Sequence, residues 1–159
     1  MTPSITTITA KKLVGTSVTM SFANNKTGLL WQTFMPKRNA IQHTNNNDLY
    51  SLQLYPSSII ENGFSFDTQF EKLALKEVSS FDNIPEGMQP FVLPAGLYAV
   101  FHYKGLSTDT TIFDFIFKTW LPQSGYVLDN RPHFEILGAL YKNNDPASEE
   151  DIYIPIKLK

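Results

Sequence analysis

Only two segments of this sequence place apolar residues at helical spacing, and the rest alternates or is broken by turn residues. The first runs from about Thr27 to about Ile41. Leu30, Phe34, Arg38 and Ile41 recur every third or fourth residue, and Trp31 widens the stripe. Pro36 lacks an amide donor and crowds the preceding turn, so a kink or a broken end is expected there. The second runs from about Thr108 to Leu121, with Ile112, Phe113, Ile116, Phe117 and Trp120 on its stripe. Ser107 or Thr108 can cap it, Asp109 suits its positive end, and Pro122 with Gly125 should stop it.

The remaining segments read as strands. They are Leu13 to Phe22, Leu49 to Tyr55, Phe70 to Val78, Leu97 to Tyr103, Phe134 to Tyr141 and Ile152 to Leu158. Breakers separate them at Asn45-Asn46-Asn47, Pro56-Ser57-Ser58, Pro85-Glu86-Gly87, Pro94-Ala95-Gly96 and Asn143-Asn144-Asp145-Pro146. In order, the elements spell strand, helix, strand, strand, and then the same again. The half-units fall at about 1–80 and 90–159 of a single domain, a size that suits a chain of 159 residues. The expected fold is α+β: a tandem pseudo-twofold repeat whose antiparallel sheet carries two helices on one face, with a groove between them.

Composition limits the chemistry. Thirteen basic against fifteen acidic residues give a net charge of −2, which argues against a nucleic-acid footprint. Zero cysteines exclude disulfides, thiolate catalysis and Cys-ligated zinc. His43, His102 and His133 show no ligand spacing, and no phosphate loop or nucleophile elbow is present, so no metal or cofactor is expected. The N-terminus has neither a basic nor an apolar leader region, and no apolar run is long enough to span a membrane. A soluble, cytoplasmic protein is therefore expected. Glu149-Glu150-Asp151 reads as a solvated loop at a strand start.

Glu135 is the most informative charge. Alternation puts it on a face with Leu137, Ala139 and Tyr141, while Phe134, Ile136 and Leu140 take the other, and neither face reads as solvent-facing. A carboxylate there needs a partner, with Arg131, Lys142 or another base as the plain alternative, or else it awaits a cation. Aromatic residues make up 13% of the chain. Most must be core, but a few beside Glu135 would complete a cage for a flat, lipophilic cation.

Several stretches together resemble a known family. They are Leu30-Trp31-Gln32-Thr33-Phe34 with Arg38, Ile84-Pro85-Glu86-Gly87-Met88, and Leu93-Pro94-Ala95-Gly96-Leu97-Tyr98-Ala99-Val100-Phe101. Further on come Trp120-Leu121-Pro122-Gln123-Ser124-Gly125-Tyr126, Arg131-Pro132-His133-Phe134-Glu135, and Asp151-Ile152-Tyr153-Ile154-Pro155-Ile156. Their order and spacing over nearly the whole chain are similar to the GyrI-like small-molecule-binding domain, the effector-binding module of bacterial transcription activators. The resemblance implies the two-unit fold and a ligand groove between the halves. It implies that Glu135 meets a ligand cation, with Trp120 near it. By element position alone it adds Tyr55, Tyr98, Tyr141 and Trp31.

In regulators of the family a DNA-binding domain precedes the module. Here the module begins almost at Met1, so no direct nucleic-acid contact is expected, and without an apolar span no membrane partner is expected either. The expected function is stand-alone binding of lipophilic, aromatic, cationic small molecules, for sensing or sequestration. One alternative is a hydrolase of electrophilic natural products using Glu135 in the same groove. Another is a protein-interaction module that meets a regulator or a topoisomerase. An enzyme is the less favoured of these readings.

Overall fold

The computed structural model describes residues 1–159. Nine strands form: β1 (Ser4–Ile8), β2 (Lys11–Met20), β3 (Leu49–Leu54), β4 (Phe70–Val78), β5 (Gln89–Leu93), β6 (Gly96–Lys104), β7 (Tyr126–Leu128), β8 (His133–Leu137) and β9 (Glu149–Leu158). Their order is β1-β6-β9-β8-β3-β4-β2-β5, with β7 paired to the end of β9. Every pairing is antiparallel. The inner six strands read β6-β9-β8 and then β3-β4-β2, a mirrored order about the β3–β8 pair. This matches the α+β architecture expected from the element order.

The path cannot be flat. Eight strands at ~4.8 Å spacing would separate β1 from β5 by about 34 Å. Yet Thr9-Ala10 alone joins β1 to β2, and Pro94-Ala95 alone joins β5 to β6. Each two-residue link ties one end of the path to the other, so the sheet wraps on itself. The enclosed face holds Ile8, Leu13, Tyr50, Leu52, Leu73, Leu75, Leu93, Tyr98 and Phe134 in one cluster drawn from both ends and the middle.

Helices cover the other face. Helix α1 (Thr27–Phe34) and the 3₁₀ segment Met35–Ala40 set Leu30, Phe34 and nearby Ile41 on Val14, Ala74 and Val78. Pro36 lies at the change from α to 3₁₀, the break its missing amide predicts. The second stripe forms a composite helix: α3 (Thr111–Asp114), a π-helical segment (Phe115–Trp120) and α4 (Leu121–Gln123). Asp109, rather than Ser107 or Thr108, serves its start, accepting from the Thr111 amide at 3.0 Å and hydroxyl at 2.8 Å. Pro122 does not stop this helix. The wider π turn just ahead relieves the clash of its ring with the preceding carbonyls, and the chain leaves only at Ser124. Ile112 and Ile116 pack on Phe101, Ile152 and Ile154.

Other expectations need correction. The Pro56-Ser57-Ser58 breaker opens a short helix, α2 (Ser58–Asn62), whose Ile59 joins the core. Strands β1, β5 and β7 carried no clear alternation and were not anticipated. The strand expected to reach Tyr141 ends at Leu137, because Gly138 begins a turn in which the Tyr141 amide bonds back to the Gly138 carbonyl. Glu149-Glu150-Asp151 is not a loop but the start of β9, paired with Lys104, Tyr103 and His102. No helix is long and apolar enough to cross a membrane.

That pairing creates a titrating bridge. His102 Nε2 lies 2.8 Å from Glu149 and Nδ1 lies 2.8 Å from Asp151. Glu149 first, then Asp151, raises the imidazole pKa above its ordinary 6.5. A raised folded-state value contributes stability fully present below the unfolded value and lost as pH rises through the folded one. The His102 ring should therefore titrate above 6.5 by NMR. Any melting-temperature advantage over His102→Asn should shrink as the pH climbs from about 6 to about 8. A ring titrating at or below its ordinary value contradicts the bridge.

Candidate functional site

Between the two helical layers the floor is polar. Strand register places Thr16, Ala74, Ser51, Glu135, Ile152 and Phe101 in one row across β2, β4, β3, β8, β9 and β6. The next row holds Val18, Lys72, Gln53 and His133. Partners in antiparallel register point to the same side. Glu135 therefore shares the helix-covered face, midway between the layer over Ala74 and the layer over Phe101. Ser51, Gln53, Lys72, Lys76 and His133 are all buried on this face. Such a concentration of buried polar groups is costly unless they satisfy one another or serve a ligand.

Two of these groups, Gln53 and Lys72, join Glu135 in one hydrogen-bonded network. The Gln53 amide, oriented by its neighbours, donates from nitrogen to Glu135 Oε2 at 3.1 Å and to the His133 carbonyl oxygen at 3.3 Å. Its oxygen accepts from the Lys72 ammonium. Lys72 is only 9% exposed. Ion pairs between basic side chains and carboxylates form elsewhere, at Lys11–Glu77, Lys118–Asp114 and Arg131–Asp129, so Lys72 reaches Glu135 through Gln53. The base that balances Glu135 is thus neither Arg131 nor Lys142. Arg131 is held by Asp129 and by the carbonyls of Leu97 and Ile156.

The electrostatics follow from burial. Burial pushes the Glu135 carboxyl above its ordinary value, while Lys72 and Gln53 pull it back. Burial pulls Lys72 down, against Glu135 and Glu150. Glu150, on β9 and on the same side as Ile152, rises to about 7 through burial and the nearby charge of Glu135. His133 falls to about 3 because it is buried and lies near Arg131, so it is neutral at ordinary pH.

Aromatic rings gather at the end where β3 stops and β8 starts. Tyr55 meets His133 edge-on with centroids 4.9 Å apart, and meets Phe64 at 4.9 Å. Phe64 in turn touches Phe117 of the π segment at 5.1 Å, which joins the α2 connection to the second helical layer. The Tyr55 hydroxyl is pushed up by burial and by the Glu135 charge. A depression of about 460 Å³ is lined by Leu121, Pro122, Tyr126 and Lys157. It holds no buried charge, however, so chemistry favours the Glu135 floor.

The expected site residues divide. Tyr55 joins Glu135. Trp120 stands over Phe101 at 5.2 Å, and Phe101 lies two strand spacings, about 10 Å, from Glu135 along the sheet. Trp31 packs edge-on against Phe34 at 5.6 Å in the first helical layer. Tyr98 lies on the enclosed face, fully buried, with its hydroxyl donating to the Pro132 carbonyl at 2.7 Å. It is not brought to Glu135, since alternation along β6 turns it away from Phe101 and Ala99. Tyr141 sits beyond the end of β8, in the turn after Gly138. The sequence reading missed Lys72, Gln53, Glu150, Phe64 and Phe117. The usable signal lay in β3, where Ser51 and Gln53 alternate with Tyr50, Leu52 and Leu54.

Comparison with known proteins adds context. The model of the GyrI-like small molecule binding domain matches residues 1–157. The transcriptional regulator BrlR of Pseudomonas aeruginosa is 29% identical over 150 residues, covering 92% of this chain and 52% of BrlR. The chain thus spans about half the length of that relative. Among solved structures, the integron cassette protein VCH_CASS2 of Vibrio cholerae aligns with a TM-score of 0.69 and 18% identity, over 97% of this chain and 95% of that one. The structure of SAV2435 bound to tetraphenylphosphonium aligns with a TM-score of 0.65 and 16% identity, over 99% of this chain and 94% of that one. At these identities the two structures share the fold.

Proposed function

This chain belongs to the GyrI-like small molecule binding domain family, and we propose that it binds lipophilic aromatic cations over Glu135, for sensing or sequestering them. One observation carries the reading. A carboxylate sits on the helix-covered face between two apolar layers, balanced only through an amide and flanked by a second carboxylate, Glu150. Such a group gains most from a cation that brings its own apolar surface, because the ligand then loses little hydration on entry. The rings of Tyr55, Phe64 and Phe117 supply faces and edges for that surface. The ligand held by SAV2435 has this chemistry.

Tetraphenylphosphonium is the probe. Titrated calorimetrically into wild type and Glu135→Gln, it should bind the variant at least about tenfold more weakly, in line with the cost of removing one partner of a buried charge pair. Glutamine keeps the shape and the polar contact and removes only the charge. Equal affinity for the two proteins would defeat the counter-charge role.

A further inference from the structure

The Lys72 ammonium lies in the same polar floor as the carboxylate assigned to the ligand, and Gln53 connects them. Resting on the reading of Glu135 as the ligand's counter-charge, we propose that Lys72 is a resident cation of this polar floor, and that a bound cationic ligand displaces its charge by driving its proton into solvent. Lys72 would then set the affinity of the site and make it depend on pH.

The geometry gives Lys72 few alternatives. Its side chain is buried, Gln53 is its hydrogen-bonding contact, and no carboxylate is in ion-pair range. The elements packed against β4 bring little charge to this face. From β2 come Val14, Thr16 and Val18, and from β3 come Ser51 and Gln53. Helix α1 contains no titratable side chain. The charged or titratable groups near it are Lys76 on its own strand, Glu135 and His133 on β8, Glu150 on β9, and Tyr55 just past β3. Burial lowers Lys72, and Glu135 and Glu150 favour its charged form against that burial. A ligand that neutralises Glu135 removes the larger of these supports. By reciprocity, if ligand binding weakens proton binding at Lys72, the proton at Lys72 weakens ligand binding by the same factor. The balance is simple: protonated protein plus ligand cation gives the complex with neutral Lys72 plus one proton taken up by the buffer. His133 cannot be the source, since its depressed value leaves it already neutral.

The experiment is calorimetric titration of tetraphenylphosphonium into the whole chain, at one pH in two buffers of different ionisation enthalpy, repeated across pH. Wild type should release up to about one proton per ligand, and its affinity should rise with pH by a factor approaching tenfold per unit. Lys72→Met, which replaces the charge with a side chain of similar length that suits a buried site, should release measurably fewer protons than wild type and bind about three- to tenfold more tightly at neutral pH. If wild type binds in a Glu135-dependent way but releases no proton, the Lys72 proposal is overturned while the counter-charge reading stands. If release persists in Lys72→Met and disappears in Glu150→Gln, the proton belongs to Glu150 and the proposal is again overturned. If wild type fails to bind, or Glu135→Gln binds equally well, the counter-charge reading itself has failed and the proposal falls with it. Where Lys72→Met does not fold, Glu150→Gln decides the matter: release that persists in it supports Lys72, and release lost with it overturns the proposal.

Discussion

Replacing Phe134 with alanine should destabilise the fold by about 3–5 kcal/mol, the range for removing a fully buried aromatic ring. Phe134 is 0% exposed and sits at the centre of the enclosed face. It stacks on Tyr153 with centroids 4.4 Å apart, on Tyr50 at 5.8 Å, and meets Tyr98 edge-on at 5.2 Å. Three large rings would border the resulting void, and the wrapped sheet leaves them little room to collapse into it. Urea unfolding followed by tryptophan fluorescence measures the loss, with the slope of the transition showing whether the native state stays compact. A loss below about 1 kcal/mol would mean that the enclosed face is loosely packed. Glu135 is the next residue, so the contrast is informative. Phe134→Ala should cost stability, whereas Glu135→Gln should cost ligand affinity.

Gly15→Ala should be the other severe change, at about 3 kcal/mol or more, toward the upper end for forcing atoms into a packed interior. A Cβ built at Gly15 runs into the carbonyl of Ala74 well inside van der Waals contact. Both residues belong to the β2–β4 ladder, where neither backbone can retreat without breaking register. Strand β4 also carries Lys72, so a shift there would disturb the polar floor. Gly28, near the start of α1, is the control, since an added Cβ meets nothing within 4 Å. Gly28→Ala should leave stability unchanged or raise it by up to about 1 kcal/mol. Thermal melts of both variants test the pair, and a Gly15→Ala protein as stable as Gly28→Ala would refute the clash.

Much of the fold was legible because it rests on local periodicity. The two helical stripes, the six anticipated strands and the order of elements follow from side chains that must alternate or recur to reach one apolar face. The unanticipated strands are short, and β1 is exposed along most of its length, so neither alternation nor apolarity marks it. Its pairing with β6 comes from the wrapping of the sheet, a global property. Helix α2 and the π segment likewise answer to packing and to the demands of Pro122.

The site was half legible. Glu135 stands out because a charge inside an apolar strand is anomalous wherever that strand lies. Lys72 and Gln53 do not stand out. Lys72 lies in a strand that also carries Glu71, Lys76 and Glu77. Nothing local shows that Lys72 and Lys76 face inward. Tyr98 fails in the opposite sense: it lies in a family-like stretch, yet alternation along β6 sends its ring to the other face.

The sequence by itself determined the two main helical segments, six of the nine strands and their order, and the presence of one carboxylate that demanded a counter-charge. Tertiary structure alone decided the identity of that counter-charge. Lys72, Gln53 and Glu135 come from three strands whose adjacency depends on sheet register, and register is fixed by pairing among residues distant in the chain. Burial likewise belongs to the assembled layers. It lowers the pKa of Lys72 and raises those of Glu135 and Glu150, a property that no single strand carries before the sheet wraps and the helices cover it.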